Sequence, residues 1–271
     1  MEFVKLSEQE FSKFSQLIHD IAGIYLKDSK LTLLSNRLRK RLKEKNFESF
    51  DDYYNYIKNS QDQIELNEML NAVSTNETYF FRNSKHYDAL LEKIIPEMIS
   101  KRRTPIKIWS AGCSSGEEAF TLCMLLDEKG YLERSLVEIY GSDINTSILD
   151  EAKKGVYDDK RLRTTPDRYK NKYFNKIGDD LYELDRKIVN FVKFGRINLK
   201  LDKFETKYDI IFCRNVMIYF EREDQQRIVE KFYNALNNDS YFIIGHSESL
   251  YFINNAFKYM KISDAPIYYK E

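Results

Sequence analysis

The sequence predicts an α/β protein: a doubly wound, Rossmann-like domain with a helical N-terminal domain and a small antiparallel β-subdomain. A strand, a glycine-containing turn and a helix follow one another between residues 106 and 126. Further strands and helices alternate after this unit, and parallel strands joined by helices build a doubly wound sheet. Apolar residues at helical spacing before residue 72 predict the helical domain.

The central unit joins a short strand, Ile106 to Ser110, to a turn that contains Gly112 and Gly116. Glycines suit such a turn because they permit a positive φ angle and let backbone N–H groups approach a ligand closely. Asp143 closes the next strand, 137–142. An acidic residue at this distance holds ribose hydroxyls in nucleotide-binding βα units.

The turn does not match a dinucleotide or phosphate loop, because it has neither Gly-x-Gly-x-x-Gly nor Gly-Lys-[Ser/Thr]. Glu117 and Glu118 open the helix that follows, and two carboxylates would repel a phosphate. S-adenosylmethionine carries a sulfonium and an amino group and suits the carboxylates better. Together with Asp143, the turn therefore favours a methyltransferase.

Composition excludes several other classes of protein. The 271 residues carry 43 basic and 43 acidic side chains, so the net charge gives no indication of a nucleic-acid or membrane partner. Three cysteines show no metal or disulfide spacing, and no apolar run approaches the roughly 18 residues of a membrane span. Met1 to Lys5 begin no signal sequence. We expect a soluble cytoplasmic protein without a metal and without membrane insertion.

Residues 1–72 are predicted to form the helical domain, and residues 73–271 the cofactor-binding domain. Two apolar series recur at helical spacing in the first of these, Phe11, Phe14, Ile18 and then Leu31, Leu34, Leu38, Leu42. Ser7, with Glu10 three residues later, is typical of a capping box at a helix start.

The second predicted helix is basic, with eight Lys or Arg against two acids between residues 27 and 45. With its leucines facing inward, Arg37, Lys40 and Arg41 are expected on the outer face. Two interpretations stay open, a solvated surface helix and a docking face for an acidic partner. Aromatic residues do not interleave with these charges, which counts against a nucleic acid.

The segment from Asn76 to Arg82 lies at the junction of the two predicted domains, where binding clefts tend to form. Asn76, Thr78 and Arg82 offer polar groups, and an arginine can clamp a carboxylate. The alternative is an interdomain strut. Phe80 and Phe81 are expected in the core.

Residues 156–195 are predicted to form the inserted β-subdomain. Its expected strands are Tyr173-Phe174, 181–184 and 188–192, with a Gly-Asp-Asp turn at 178–180. The main sheet is expected to resume at 208–213 and to continue through helix 222–236, strand 241–245 and a hairpin at 257–262 and 267–269.

Five sequence blocks occur in a characteristic order. They are Asn-x-Thr-x-Phe-Phe-Arg (76–82), Trp-Ser-Ala-Gly-Cys-Ser-Ser-Gly-Glu-Glu (109–118), Ser-Asp-Ile (142–144), Phe-Cys-Arg-Asn-Val-Met-Ile-Tyr-Phe (212–220) and Gly-His-Ser-Glu (245–248). In this order they resemble the CheR family, the chemotaxis receptor glutamate methyltransferases. The resemblance covers essentially the whole chain.

The resemblance implies methyl transfer from S-adenosylmethionine to glutamate side chains on the cytoplasmic helices of chemoreceptors, with S-adenosylhomocysteine as product. It implies a cofactor site at the residues that match the family's motifs: Asn76, Thr78, Arg82, Gly112, Glu118, Asp143, Asn198, Leu199, Arg214 and Asn215. Asp143 is assigned to the ribose, and Glu118 is chosen over Glu117 from motif position. The basic helix would then dock the receptor.

One departure concerns the β-subdomain. Family members that bind a receptor's C-terminal tether peptide do so through a longer, Gly-rich loop in this subdomain. The turn here, Ile177 to Asp180, is shorter and acidic. The chain therefore looks more like the tether-independent members, and tether binding is not expected.

The reaction implied by the resemblance makes modest chemical demands. A glutamate with an ordinary pKa near 4.3 is ionised at neutral pH, so no general base is needed. The enzyme has to align the reacting groups and exclude water. Tyr219 and Arg214 are expected to position the carboxylate, with a core tyrosine as the alternative for Tyr219. His246 and Cys213 are expected to be structural.

Two other classes of function stay open. Amino-group methylation of nucleic-acid bases commonly uses an Asn/Asp-Pro-Pro-aromatic motif after the strand that 208–213 occupies. This chain has Arg214-Asn215-Val216-Met217 there, without proline. A non-catalytic signalling module would keep the cofactor residues without turnover. The substrate could also be another sensory protein.

Overall fold

Four helices build the first part of the chain in the computed structural model, which describes residues 5–60, 62–101, 103–253 and 256–271. They are α1 (Glu8–Ala22), α2 (Leu31–Lys45), α3 (Phe50–Asn59) and α4 (Gln63–Val73). Ser7 and Glu10 form the predicted capping box at the start of α1. The predicted start of the helical domain at residue 1 lies outside the described residues.

A single apolar cluster holds these helices together. Its fully buried members include Phe14, Leu38, Phe50, Tyr53 and Met69, which come from all four helices. The apolar spacing seen in the sequence therefore marks the inner faces of α1 and α2 correctly.

The remainder of the chain alternates helices and strands. The helices are α5 (Lys85–Ala89), α6 (Ile95–Ser100), α7 (Glu117–Glu128), α8 (Thr146–Lys154), α9 (Asp159–Leu162), α10 (Asp167–Tyr173), α11 (Arg186–Phe191) and α12 (Arg222–Ala235). The strands are β1 (Ile106–Ala111), β2 (Val137–Asp143), β3 (Val156–Asp158), β4 (Phe174–Lys176), β5 (Leu181–Leu184), β6 (Val192–Arg196), β7 (Tyr208–Cys213), β8 (Leu236–Ile244), β9 (Lys258–Ile262) and β10 (Ala265–Lys270). A 3₁₀ turn, Met217–Tyr219, lies between β7 and α12.

The main sheet has the strand order β6-β2-β1-β7-β8-β10-β9. The first five strands run parallel, and β10 is antiparallel to both of its neighbours. The chain winds outward from β1 through β2 to β6 and then returns to the other side of β1 with β7. Ligands bind outside the carboxyl ends of the strands at such a reversal. This topology confirms the predicted doubly wound fold.

The β-subdomain is partly different from the prediction. Its sheet has the order β3-β5-β4, so the hairpin of β4 and β5 is confirmed, and β3 was not predicted. The expected strand at 188–192 is wrong. Residues 188–191 belong to α11, which Asp185 caps by accepting from Lys187 N, and Ile188 and Val189 are buried. The main sheet then resumes at Val192 with β6, beside β2, rather than at Tyr208.

Polar contacts fix the helical part against the sheet. The Asn71 side chain donates to Ser147 Oγ at 2.9 Å, and the backbone carbonyl of Asn71 accepts from Asn145 Nδ2 at 3.1 Å. Lys200 Nζ donates to the carbonyl of His19 at 2.7 Å. These contacts place the N-terminal helices beside the carboxyl ends of the parallel strands. Across the described residues, no helix has the length and apolar character that a membrane crossing requires.

Candidate active site

A cavity of about 510 Å³ lies where the helical part meets the carboxyl ends of β1, β2 and β7. Its wall combines the segment after α1, the 76–82 junction, the turn after β1, the end of β2 and the loop after β7. Of the predicted site residues, eleven line it: Arg37, Asn76, Thr78, Arg82, Gly112, Glu118, Asp143, Leu199, Arg214, Asn215 and Tyr219.

The turn after β1 depends on two glycines. Gly112 has a φ of 75°, and a Cβ there would lie 2.5 Å from Val216 Cγ2. Gly116 has a φ of 90°, and a Cβ there would lie 2.6 Å from a ring carbon of Phe120. Any other residue would strain the backbone and collide with these neighbours, so the turn keeps its backbone close to the cavity.

Asp143 is held at the end of β2 by backbone hydrogen bonds. Its Oδ2 accepts from Ser114 N at 2.9 Å, and its Oδ1 accepts from Asn145 N at 3.0 Å. Burial raises the pKa of this carboxyl, while the N–H bonds oppose the rise. Each carboxylate oxygen keeps a second lone pair, so the group can still accept hydrogen bonds from ligand hydroxyls.

The two glutamates that follow the turn have different surroundings. Glu118 lines the cavity, where it accepts from Ser110 Oγ at 2.7 Å and from Arg214 Nη1 at 3.1 Å. Glu117 is fully buried, bonds to Ser115 Oγ and lies 3.2 Å from Arg161 Nη1. Burial raises the pKa of Glu117 to about 7. The expectation that both carboxylates lie at the ligand site is therefore wrong for Glu117, and of the two only Glu118 lines the cavity.

Arg214 is almost completely buried at the end of β7. Besides Glu118, its guanidinium donates to Tyr87 Oη at 3.1 Å and to the carbonyl of Arg82. These partners fix its position. They also occupy much of the donor fork that a substrate carboxylate would need, so Arg214 is better placed to shape the site than to receive the substrate.

The loop after β7 presents two polar groups to the cavity, from Asn215 and Tyr219. Asn215 has a φ of 59°, and its buried Oδ1 has no hydrogen bond within the described part of the chain. Tyr219 is half-buried on the 3₁₀ turn, and burial raises the pKa of its hydroxyl. Its lining of the cavity sets Tyr219 apart from a core tyrosine. Both residues can bond to a ligand.

The junction segment is held in place by Arg161, which sequence reasoning missed. Its Nη1 donates to the carbonyls of Asn76 and Thr78 at 3.3 and 3.0 Å. The same atom faces buried Glu117, so one guanidinium ties the junction to the start of α7. Phe80 and Phe81 are buried as predicted.

Asn198 differs from the other predicted cofactor residues. Its Nδ2 donates to the carbonyl of Ile21 at 2.6 Å, and its Oδ1 accepts from the backbone N–H groups of Lys200 and Leu201. The side chain thus ties its turn to α1 and is absent from the described cavity wall, which Leu199 joins. A role for Asn198 in cofactor binding would have to be indirect.

The predicted outer face of α2 is largely wrong. Arg41 turns inward to Glu65, with nitrogen–oxygen distances of 3.0 and 2.6 Å, and its side chain is 12% exposed. Arg37 donates to the carbonyl of Val73 at the cavity wall. Lys40 alone of the three is largely exposed, at 79%. The reason is that fully buried Glu65 needs a counter-charge, and Arg41 supplies it.

A second residue that sequence reasoning missed is Glu248. Its carboxylate accepts from the backbone N–H groups of Asn215, Met217 and Gly245. The only signal for it was its place in the Gly-His-Ser-Glu block.

Among the described residues, no group of three or more His, Cys, Asp or Glu side chains is arranged so that it could hold a metal ion.

Comparison with known proteins gives matches along most of the chain. The family model described as "CheR methyltransferase, SAM binding domain" matches residues 76–265, and "CheR methyltransferase, all-alpha domain" matches residues 9–74. The chemotaxis protein methyltransferase of Borreliella burgdorferi is 40% identical over 257 residues, which cover 91% of this chain and 90% of that protein. Chemotaxis protein methyltransferase 2 of Vibrio cholerae is 33% identical and covers 100% of this chain and 96% of its own length. The Escherichia coli chemotaxis protein methyltransferase is 32% identical, over 94% of this chain and 90% of that protein.

Proposed function

The chain belongs to the CheR family of S-adenosylmethionine-dependent methyltransferases, and from this premise we propose that it methylates glutamate side chains of chemoreceptors. The acceptors are glutamates on the receptors' cytoplasmic helices, and the products are glutamate methyl esters and S-adenosylhomocysteine. The observation that carries the proposal is a single cavity with acidic residues at the turn and strand ends and basic residues at its helical side.

The cavity fits the cofactor in size and chemistry. Its volume of about 510 Å³ lies within the roughly 300–1,000 Å³ of small-molecule sites. Asp143 is suited to the ribose hydroxyls, and Glu118 puts negative charge where the cofactor is cationic. The unpartnered Oδ1 of Asn215 can accept from a cofactor N–H group. When bound, S-adenosylmethionine supplies a methyl group activated by a sulfonium.

The helical side of the cavity suits an acidic acceptor. Lys27, Lys30 and Arg37 line it, and Arg82 lines the cavity from the junction segment. These cations attract a carboxylate-bearing segment, and the field of several like charges focused by a cleft speeds its arrival. Exposed Tyr25, Leu33 and Ile218 add apolar contact area at the same cavity. An amphipathic acidic helix matches both features.

The chain's residues then need to orient one carboxylate. We assign this task first to Tyr219, whose hydroxyl has no other hydrogen bond in the described structure. An acceptor oxygen forms the new bond to carbon as the carbon–sulfur bond breaks, and the sulfur keeps the bonding pair. The acceptor is already ionised, so no residue has to remove a proton. Alignment and exclusion of water are the chain's contribution.

Peptide mapping tests the proposal. A receptor cytoplasmic fragment incubated with the enzyme and S-adenosylmethionine should gain one methyl mass on glutamate-containing peptides, with an equal amount of S-adenosylhomocysteine. Deleting the receptor's C-terminal tether should not change the rate, since we propose a tether-independent enzyme. Cofactor binding by calorimetry without any methylated peptide would instead support a non-catalytic module or another protein substrate.

A further inference from the structure

Glu248 links the ends of two neighbouring strands at the active site. Its Oε2 accepts from Asn215 N at 2.8 Å and from Gly245 N at 2.6 Å, and its Oε1 accepts from Met217 N at 3.0 Å. Two of these donors belong to the loop after β7, which also carries Tyr219. Hydrogen bonds to an ionised acceptor are roughly twice as strong as neutral ones. One carboxylate therefore holds the loop at two points.

The loop needs such support because of the conformation of Asn215. Its φ of 59° lies in the left-handed region, which costs energy for a residue other than glycine, although asparagine adopts it more readily than most. Residues of this kind persist where surrounding contacts over-determine them, and they cluster at functional sites. Asn215 lines the cavity, and its Oδ1 is buried without a partner in the described structure. The Glu248 carboxylate thus holds the backbone of Asn215, and with it the acceptor Oδ1, in place at the cavity.

Gly245 leaves the space in which the carboxylate sits. A Cβ at this position would lie 2.6 Å from Glu248 Oε2 and 3.0 Å from Asn215 N. Gly245 and Glu248, the first and last residues of the Gly-His-Ser-Glu block, therefore form one contact. Glu248 itself is not among the described residues of the cavity wall.

We propose that Glu248 is a positioning residue for methyl transfer. Its carboxylate fixes the loop after β7, so that Asn215 meets the cofactor and Tyr219 meets the acceptor. The effect on turnover rests on the proposed function. The effect on cofactor binding does not, because S-adenosylhomocysteine can be titrated without any acceptor.

Two variants test this contact from opposite sides. Glu248→Gln keeps the size of the side chain but turns one acceptor oxygen into a donor that faces an N–H group. Gly245→Ala keeps the carboxylate and pushes it out of its space. We expect each to lower kcat by roughly 10- to 100-fold, since a displacement of about 1 Å can cost that much. We expect each to weaken S-adenosylhomocysteine binding per folded molecule, and to lower the Tm as well because hydrogen bonds to the carboxylate are lost.

The double variant Glu248→Gln/Gly245→Ala should be no slower than the worse single variant, because both changes break one contact. Glu230→Gln makes the same chemical change on the exposed face of α12 and should behave as wild type. The proposal would be overturned if both single variants kept the wild-type kcat and cofactor affinity per folded molecule, even with a lower Tm. If the wild type esterifies no receptor while both variants bind S-adenosylhomocysteine more weakly, the proposed function fails and the positioning role stands.

Discussion

Arg214 donates to Glu118 across the wall of the cavity, with Nη1 and Oε2 3.1 Å apart. The pair joins the end of β7 to the first turn of α7, and the Arg214 side chain is 2% exposed. Because the pair couples a strand end to a helix start at the wall of the cavity, both residues contribute to the shape of the cavity.

Removing Glu118 should destabilise the fold as well as the site. Glu118→Ala leaves the Arg214 charge buried with only neutral partners. We expect a loss of roughly 3 kcal/mol in the free energy of unfolding, at the low end for broken buried pairs since the carboxylate is partly exposed. Urea unfolding followed by circular dichroism measures it. Glu128→Ala, at the other end of α7, is the control and should cost less than about 1 kcal/mol. Equal losses in the two variants would contradict the assignment.

Asp143→Asn should weaken cofactor binding. An amide would set an N–H donor against one of the backbone N–H groups of Ser114 and Asn145 and would lose the charge that favours ribose hydroxyls. Since hydrogen bonds to charged groups contribute about 1.5–3 kcal/mol, we expect roughly 10- to 100-fold weaker binding of S-adenosylhomocysteine by calorimetry. Asp150→Asn on the exposed side of α8 is the control. Unchanged affinity in the Asp143 variant would remove this residue from the cofactor site.

Tyr219→Phe separates substrate positioning from folding. Only a hydroxyl that bonds to nothing else in the described structure is removed, so the Tm should not fall. We expect kcat to drop about tenfold, the equivalent of one hydrogen bond, with cofactor affinity unchanged. Steady-state kinetics at saturating cofactor measures the change. A variant with wild-type kcat would restore the interpretation of Tyr219 as a packing residue.

Glu117 should give the protein a pH-dependent stability. Burial raises the pKa of this carboxyl from 4.5 to about 7, so the folded state holds the proton more tightly than the unfolded state. The contribution to stability is complete below about pH 4.5 and is lost as the pH rises through about 7. Relative to Glu117→Gln, the wild type should lose on the order of 3 kcal/mol across this window. Denaturant unfolding at several pH values measures the difference, and parallel curves would show that Glu117 has an ordinary pKa.

The basic residues of α2 should fall into two groups, one that docks the receptor and one that stabilises the helical domain. Lys40→Glu reverses an exposed charge and should raise the KM for receptor several-fold, more strongly at low salt, with no change in Tm. Arg41→Ala should destabilise the helical domain by roughly 3 kcal/mol, because it leaves buried Glu65 with the partly exposed Lys45 as its remaining counter-charge. The two variants are each other's controls. A stable Arg41→Ala protein with weakened receptor binding would favour the outer-face prediction.

Local pattern was sufficient for the parts of the fold and cavity that depend on neighbours in sequence. The glycine turn, the acidic residue at the end of β2 and the inner faces of α1 and α2 each follow from a strict spacing. Asp143 could be placed at the cavity in this way, whereas Glu118 was chosen over Glu117 from its position in the family's motif.

Contacts between distant residues were beyond such patterns. Periodicity assigns Arg41 to an outer face, but it cannot reveal that buried Glu65 lies 24 positions away with a charge to neutralise. The run at 188–192 is short and apolar, so strand and helix could not be separated before its packing was known. The sequence indicated Glu248 only as the last residue of the Gly-His-Ser-Glu block. Its role could not be predicted, because its three donors come from the segments that follow two different strands.

The most direct test of glutamate methylation is the chemistry of the product. Receptor-containing membranes are incubated with the enzyme and methyl-labelled S-adenosylmethionine and are then treated with mild base. We predict that the label leaves as volatile methanol, because a carboxyl ester hydrolyses under these conditions. Label that stays on the protein would mean methylation at nitrogen or carbon and would contradict the account.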